Sequence, residues 1–163
     1  MRKRSFPPVV DNNTRLLVLG SLPGEASLAA GRYYAHPRNL FWTLIGLVIG
    51  EDLAGLDYQD RLAALLRHHV GLWDVVAEAR RDGSLDAAIR DAAENDLLTL
   101  VKSLPNLRAV AFNGATSAKV GMRQLESVAD RLTLVRLPSS SPAYAGRWDI
   151  KVEAWTALKA LIQ

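Results

Sequence analysis

Residues 15–20 read "RLLVLG", a short apolar run closed by a glycine. Such a run, bounded by a turn residue, is the pattern of a strand buried on both faces that empties into a loop. "RAVAFNG" at 108–114 and "LTLVRLP" at 132–138 repeat it, each with glycine or proline at its C-terminal end. Patterns of helical period separate the three runs, which predicts a parallel or mostly parallel sheet with helices on both faces, a three-layer α/β/α sandwich. "GLWDVV" at 71–76 fits either a short strand or a loop that carries Trp73 inward.

Outward from these strands, Pro37 suits the first turn of a helix in which Phe41, Leu44, Ile45 and Val48 form an i, i+3, i+4, i+7 stripe. On that register Asn39 lies in the first turn, away from the core face and open to a ligand. Further helices are expected at about 56–69, 84–93, 115–129 and 148–162. Ala118, Met122, Leu125 and Ala129 share one face of the third, and Val152, Trp155, Leu158 and Ile162 one face of the last. Lys119 and Lys151 read as ordinary surface residues of these helices. The sheet then opens into loops 20–37, 113–116 and 138–147, and ligands of open α/β sheets bind beyond the carboxyl ends of the strands.

The chain has 163 residues, enough for one domain with a real core, and 49% of them are hydrophobic. One domain over 1–163 is expected, with 1–12 a flexible N-terminal segment. A net charge of +3 permits anionic partners without demanding them. Cysteine is absent, which excludes disulfides, thiolate nucleophiles and cysteine-ligated metals, and nothing argues for secretion. "FWTLIGLVIG" at 41–50 meets Glu51 and Asp52, which limits it to a buried helix, so a soluble, cytoplasmic protein is expected. The only histidines are His36, His68 and His69, a poor basis for a metal site.

"GSLPGEASLAAGRYYAHPRNLFW" at 20–42 lacks both the Gly-Lys-Ser/Thr ending of a phosphate loop and the spacing of a dinucleotide fingerprint. No nucleophile elbow surrounds Ser21 or Ser139. The third loop, "LPSSSPAYAGR" at 137–147, offers hydroxyls and backbone N–H groups suited to successive phosphates, with Arg147 adding charge. Tyr33, Tyr34 and Phe41 offer surfaces on which a base could stack, and the Asn39 amide offers a donor and an acceptor. Each also has a plainer reading: the tyrosines as packing residues, Asn39 as a helix-terminus cap and Tyr144 as a loop anchor.

The Gly-Ser-x-Pro-Gly segment, the Tyr-Tyr-Ala-His-Pro-Arg-Asn segment and Phe-Trp follow one another in the order of the first motif of the uracil-DNA glycosylase superfamily. The stretch resembles its hypoxanthine-DNA (deoxyinosine) glycosylase branch most closely. "AFNG" at 111–114 is similar to a strand end in the mismatch-specific uracil/thymine glycosylases, and "LPSSSPA" at 137–143 to the second motif of the superfamily. The resemblance spans residue 15 to the C-terminus. It implies a uracil-DNA glycosylase-like sandwich with a mostly parallel four-stranded sheet. It also implies a monofunctional enzyme that hydrolyses a deaminated base from double-stranded DNA with neither metal nor cofactor, and a monomer is expected.

Carried over residue by residue, the resemblance makes Asn39 the catalytic, water-positioning residue and places Leu22, Tyr34, His36, Phe41 and Asn113 around the base. Ser21, Gly24, Ser139, Ser141 and Arg147 would hold the DNA backbone, and Ala143 and Tyr144 would form the minor-groove wedge. Two departures bear on the substrate. Leu22 stands where the mismatch-specific branch has asparagine, so it can neither orient water nor accept a proton. Ser139, Ser140 and Ser141 occupy the stretch where uracil-specific branches have a histidine, which suits a purine-specific enzyme. The alternatives are a mismatch-specific uracil/thymine glycosylase and a non-catalytic nucleic-acid-binding domain of the same fold.

Overall fold

The computed structural model describes residues 2–144 and 146–163, with Tyr144 described by its backbone alone. In chain order the elements are β1 (Arg2–Arg4), β2 (Leu16–Gly20), α1 (Glu25–Ala30), α2 (Phe41–Ile49), α3 (Tyr58–Arg67), β3 (Val70–Asp74) and β4 (Val76–Arg80). There follow β5 (Arg90–Glu94), α4 (Leu97–Ser103), β6 (Ala109–Asn113), α5 (Ala115–Gln124), β7 (Thr133–Leu137), α6 (Trp148–Thr156) and α7 (Lys159–Ile162).

The three apolar runs are the parallel strands β2, β6 and β7. "GLWDVV" supplies the fourth, β3, so the main sheet has the order β3-β2-β6-β7 and every neighbouring pair is parallel. Successive side chains of a strand leave opposite faces, and the core divides accordingly. Leu16 and Val18 enter the layer of α2, α3 and α6 with Phe41, Leu65 and Trp155, while Leu17 and Leu19 enter the layer of α4 and α5 with Leu97, Phe112 and Leu125. All four β2 leucine and valine side chains from 16 to 19 are fully buried, as a central parallel strand requires. A Cβ on Gly121 would lie 2.1 Å from the Phe112 ring, so only glycine lets α5 seat this closely on β6.

Three expectations are corrected. Residues 84–93 are not a helix: Asp86–Ala88 forms a single 3₁₀ turn and Arg90–Glu94 pairs antiparallel with β4. The alanines of this stretch favour a helix locally, but the ladder offered by β4 outweighs that propensity. The N-terminal segment is paired rather than loose: β1 lies antiparallel to β4, completing a second sheet of order β1-β4-β5, and Val9 bridges Leu72. The helix expected from Pro37 begins instead at Phe41, with Leu40 at its N-cap. Its stripe is as expected, for Phe41, Leu44, Ile45 and Val48 are all buried.

Candidate active site

The carboxyl ends of β3, β2 and β6 open into a cleft of about 490 Å³. Its floor carries Gly20, Asp74 and Asn113. One wall is loop 21–27, another is Tyr34, His36 and Asn39, and the remainder is Ser84–Asp86 with Ser139–Ala143. Strand geometry explains the floor: Gly20 is in register with Asp74, so both chain ends arrive at one level. The loops between strands and helices then converge there.

The aromatic wall is held from behind. Tyr34 lies flat on Phe41, with ring centroids 3.9 Å apart and planes 13° from parallel. Tyr34 takes a left-handed backbone conformation (φ 54°), fixed by the Trp42 indole N–H, which donates to its carbonyl at 3.1 Å. Phe41, expected against the base, is fully buried behind Tyr34 and does not line the cleft. Tyr33 is a core residue that meets Phe6 edge-on and donates its hydroxyl to the Pro7 carbonyl at 2.9 Å. Burial, and secondarily the charge of Asp74, pushes the Tyr34 hydroxyl well above its ordinary pKa, so it stays protonated.

Asn39 lines the cleft immediately before α2, and its Oδ1 accepts the Phe41 backbone N–H at 2.9 Å. The helix start is thereby satisfied by the carbonyl end of this amide, which leaves the Nδ2 end as a donor. Asn113 is engaged at both ends with one residue: Nδ2 donates to Ser140 Oγ at 2.9 Å and Oδ1 accepts the Ser140 N–H at 2.9 Å. Ser140 is fully buried, and its carbonyl accepts the Leu40 N–H at 3.0 Å. Asn113 therefore ties the second-motif loop to the entry of α2, and its further contact is a 3.4 Å approach of Nδ2 to the Tyr34 hydroxyl.

Loop 20–24 is fixed by groups that sequence reading did not single out. The Arg81 guanidinium is buried and donates to the carbonyls of Leu22, Pro23 and Gly83. The Ser21 hydroxyl donates to Asp86 Oδ1 at 2.6 Å, and Ser84 Oγ accepts the Glu25 N–H at 2.9 Å. Asp74, also unsuspected, is 4% exposed, and its Oδ2 has no hydrogen-bond partner among the described residues. Its one sequence signal was a charged residue at the end of the otherwise apolar "VGLWD".

Of the other expected residues, Leu22, His36, Ser21, Gly24, Ser139, Ser141 and Ala143 all line the cleft. His36 Nδ1 accepts the Arg38 N–H at 3.0 Å. Ser139 and Ser141 accept the backbone N–H groups of Ser141 and Ala143, which shapes the loop. Arg147 does not reach the cleft; it lines an adjoining cavity of about 690 Å³ with Arg136 and Ile150, and Ser139 stands between the two cavities. The Tyr144 side chain, expected in the wedge, lies outside the described residues. Lys151 is corrected from surface to core, at 4% exposure, and burial holds its pKa below the ordinary lysine value. Among the described residues no group of three or more potential metal ligands comes together, and no helix is long and apolar enough to cross a membrane.

A three-layer sandwich with an all-parallel four-stranded sheet, and a cleft at its carboxyl edge built from the Gly-Ser-x-Pro-Gly loop and a serine-rich loop, defines the class. The model of the uracil DNA glycosylase superfamily matches residues 7–161, and the chain belongs to that superfamily. It is 49% identical over 119 residues to a hypoxanthine DNA glycosylase of Methanosarcina barkeri, covering 73% of this chain and 75% of that protein. It is 45% identical over 114 residues to a hypoxanthine DNA glycosylase of Methanosarcina acetivorans, covering 70% and 72%. The solution NMR structure of a Methanosarcina acetivorans protein provisionally assigned as a uracil DNA glycosylase superposes with a TM-score of 0.89 at 37% identity, over 100% of both chains.

Proposed function

We propose that this chain is a monofunctional DNA glycosylase that receives a deaminated base flipped out of duplex DNA and hydrolyses its N-glycosidic bond. Hypoxanthine in deoxyinosine is the substrate, and the protein acts as a monomer without metal or cofactor. The two hypoxanthine DNA glycosylases it resembles support the substrate. So does the serine-lined second loop, where Ser139, Ser140 and Ser141 offer hydroxyls and backbone groups rather than a histidine.

The observation that carries the chemistry is the Asn39 amide. With Oδ1 held by the Phe41 N–H, its Nδ2, which has no partner among the described residues, can position the attacking water at the sugar carbon. An amide is a poor base, so its contribution is orientation while the sugar carries the positive charge of a dissociative transition state. Tyr34 presents the planar wall against which the purine lies. Ser21, Gly24, Ser139 and Ser141 line the path of the DNA backbone, Arg147 adds charge from the adjoining cavity, and Ala143 stands at the exposed rim as part of the wedge.

Asn39→Ala should cut single-turnover release of hypoxanthine by roughly 10²-fold or more, about 3 kcal/mol of transition-state stabilisation, with DNA binding little changed. Loss of the helix-start bond alone would cost about 1 kcal/mol of folding stability and leave the rate near wild type. Asn39→Asp keeps an acceptor for the Phe41 N–H, so it separates the two roles. Wild-type rates in Asn39→Ala beside lowered stability would remove the catalytic assignment. Excision should also continue in excess chelator at fixed ionic strength.

A further inference from the structure

Among the described residues, Asp74 is the group of the cleft floor with a buried side-chain oxygen that has no hydrogen-bond partner. It ends β3 in register with Gly20, and the carboxylate crosses over that glycine: a Cβ at position 20 would lie 2.5 Å from Asp74 Oδ1 and 2.9 Å from the Tyr34 hydroxyl. Glycine at 20 thus leaves room for a carboxyl and a phenol to stand over the end of the central strand. Oδ2 is buried without a partner among the described residues. Asn113, the other polar side chain of the floor, has both amide ends on Ser140. The Arg81 guanidinium donates to three backbone carbonyls.

We propose that Asp74 is a specificity-determining residue whose carboxylate accepts the ring N1–H of the flipped hypoxanthine. This inference rests on the reading of the chain as a hypoxanthine glycosylase. Hypoxanthine presents N1–H as a donor beside the O6 acceptor, whereas adenine presents a bare N1 lone pair beside an amino group. A buried acceptor gains a partner from the first and faces a lone pair in the second, the arrangement by which a polar site rejects a near-isostere. The charged and titratable groups around Asp74 are Asp86, Arg81, Tyr33 and Tyr34. Burial first, and then the like charge of Asp86, raises the Asp74 pKa to about 7 against the opposing pull of Arg81. Ionising Asp74 within the protein's own surroundings is therefore costly, and a ligand N–H relieves that cost.

The test compares single-turnover excision from duplexes carrying either deoxyinosine or deoxynebularine opposite the same base, nebularine being the purine with an acceptor N1 and no N1–H. Asp74→Asn should lower hypoxanthine release by roughly 10- to 100-fold and purine release by less than about threefold, so the preference for hypoxanthine collapses. In the wild type the same preference should rise as pH passes from about 6 to 8, since the carboxylate is the stronger acceptor for N1–H and the neutral acid can instead donate to the bare N1 of nebularine. Thermal unfolding checks that the variant is folded; were it not, Asp74→Ala, which removes the acceptor altogether, is measured on the same two substrates and decides. Equal loss on both substrates overturns the inference and points to water activation or structure. A wild-type protein that releases no hypoxanthine at all overturns instead the reading on which the inference rests.

Discussion

Tyr34 lies parallel to Phe41 at 3.9 Å, so the aromatic face offered to the cleft is set by a residue the cleft never touches. Phe41 in turn meets Trp42 and Trp155 edge-on, at 5.0 and 5.8 Å between centroids, which ties the wall to α2 and α6. Phe41→Ala should destabilise the fold by about 3–5 kcal/mol in urea titrations, as for other fully buried aromatics. Phe41→Leu keeps apolar bulk but removes the flat backing. It should lower single-turnover excision roughly tenfold or more, with affinity for undamaged duplex unchanged.

The reciprocal pair between Asn113 and Ser140 predicts a coupled effect. Asn113→Ala leaves the buried Ser140 N–H without its acceptor and should cost about 1–3 kcal/mol. A double-mutant cycle with Ser140→Ala should show a coupling of about 0.5–3 kcal/mol through the bond between Nδ2 and Oγ. Strict additivity of the two would mean that the bridge does not join β6 to the second-motif loop energetically.

Arg81 anchors loop 20–24 from 58 residues away in sequence, through the Pro23 carbonyl. Arg81→Met should speed amide hydrogen exchange at residues 21–25 and cost about 3 kcal/mol, since buried carbonyls lose a charged donor. Arg81→Lys should not restore the protection, because one ammonium cannot reproduce the fork that spans Leu22, Pro23 and Gly83. Unchanged exchange in both variants would show the loop to be held by other contacts.

Asp74 gives stability a pH dependence of defined sign. Its pKa is raised from 3.8 to about 7 on folding, chiefly by burial and then by Asp86, so the native state binds this proton more tightly than the unfolded chain. The group's contribution is most favourable below pH 4 and declines as pH rises to about 7, by up to about 4 kcal/mol. Asp74→Asn removes that decline. The difference in Tm between variant and wild type should grow in favour of the variant from pH 5 to 8 and then level off; a difference constant with pH would show that Asp74 titrates as an ordinary carboxylate.

Arg147→Ala and Ser139→Ala should weaken binding to damaged and undamaged duplexes by similar factors, because backbone contacts position without specifying. The salt dependence of binding should become shallower for Arg147→Ala, which removes a cation, and stay the same for Ser139→Ala. Wild-type affinity in both would place the DNA backbone elsewhere.

The runs at 15–20, 108–114 and 132–138 carried the sheet in their composition: the first two became strands buried on both faces, which need nearly continuous apolar side chains, and the third the edge strand beside them. The apolar stripe of α2 was equally legible, since helical period is a local property. Loops 20–37 and 138–147 followed from those elements, as strand ends in an open α/β sheet converge at one edge, whereas the part of the cleft lined by Ser84–Asp86 did not, since a helix was expected there. Pairing of Arg2–Arg4 and Arg90–Glu94 with β4 was not legible, for neither segment alternates, and the β1 ladder depends on backbone brought from 74 or more residues away. Nor was the burial of Asp74, Arg81 and Lys151, whose charges mark a surface in any local window. Their environments are set by what folds over them: a carboxylate acquires a raised pKa, and a guanidinium its three carbonyls, only when distant segments exclude water around them.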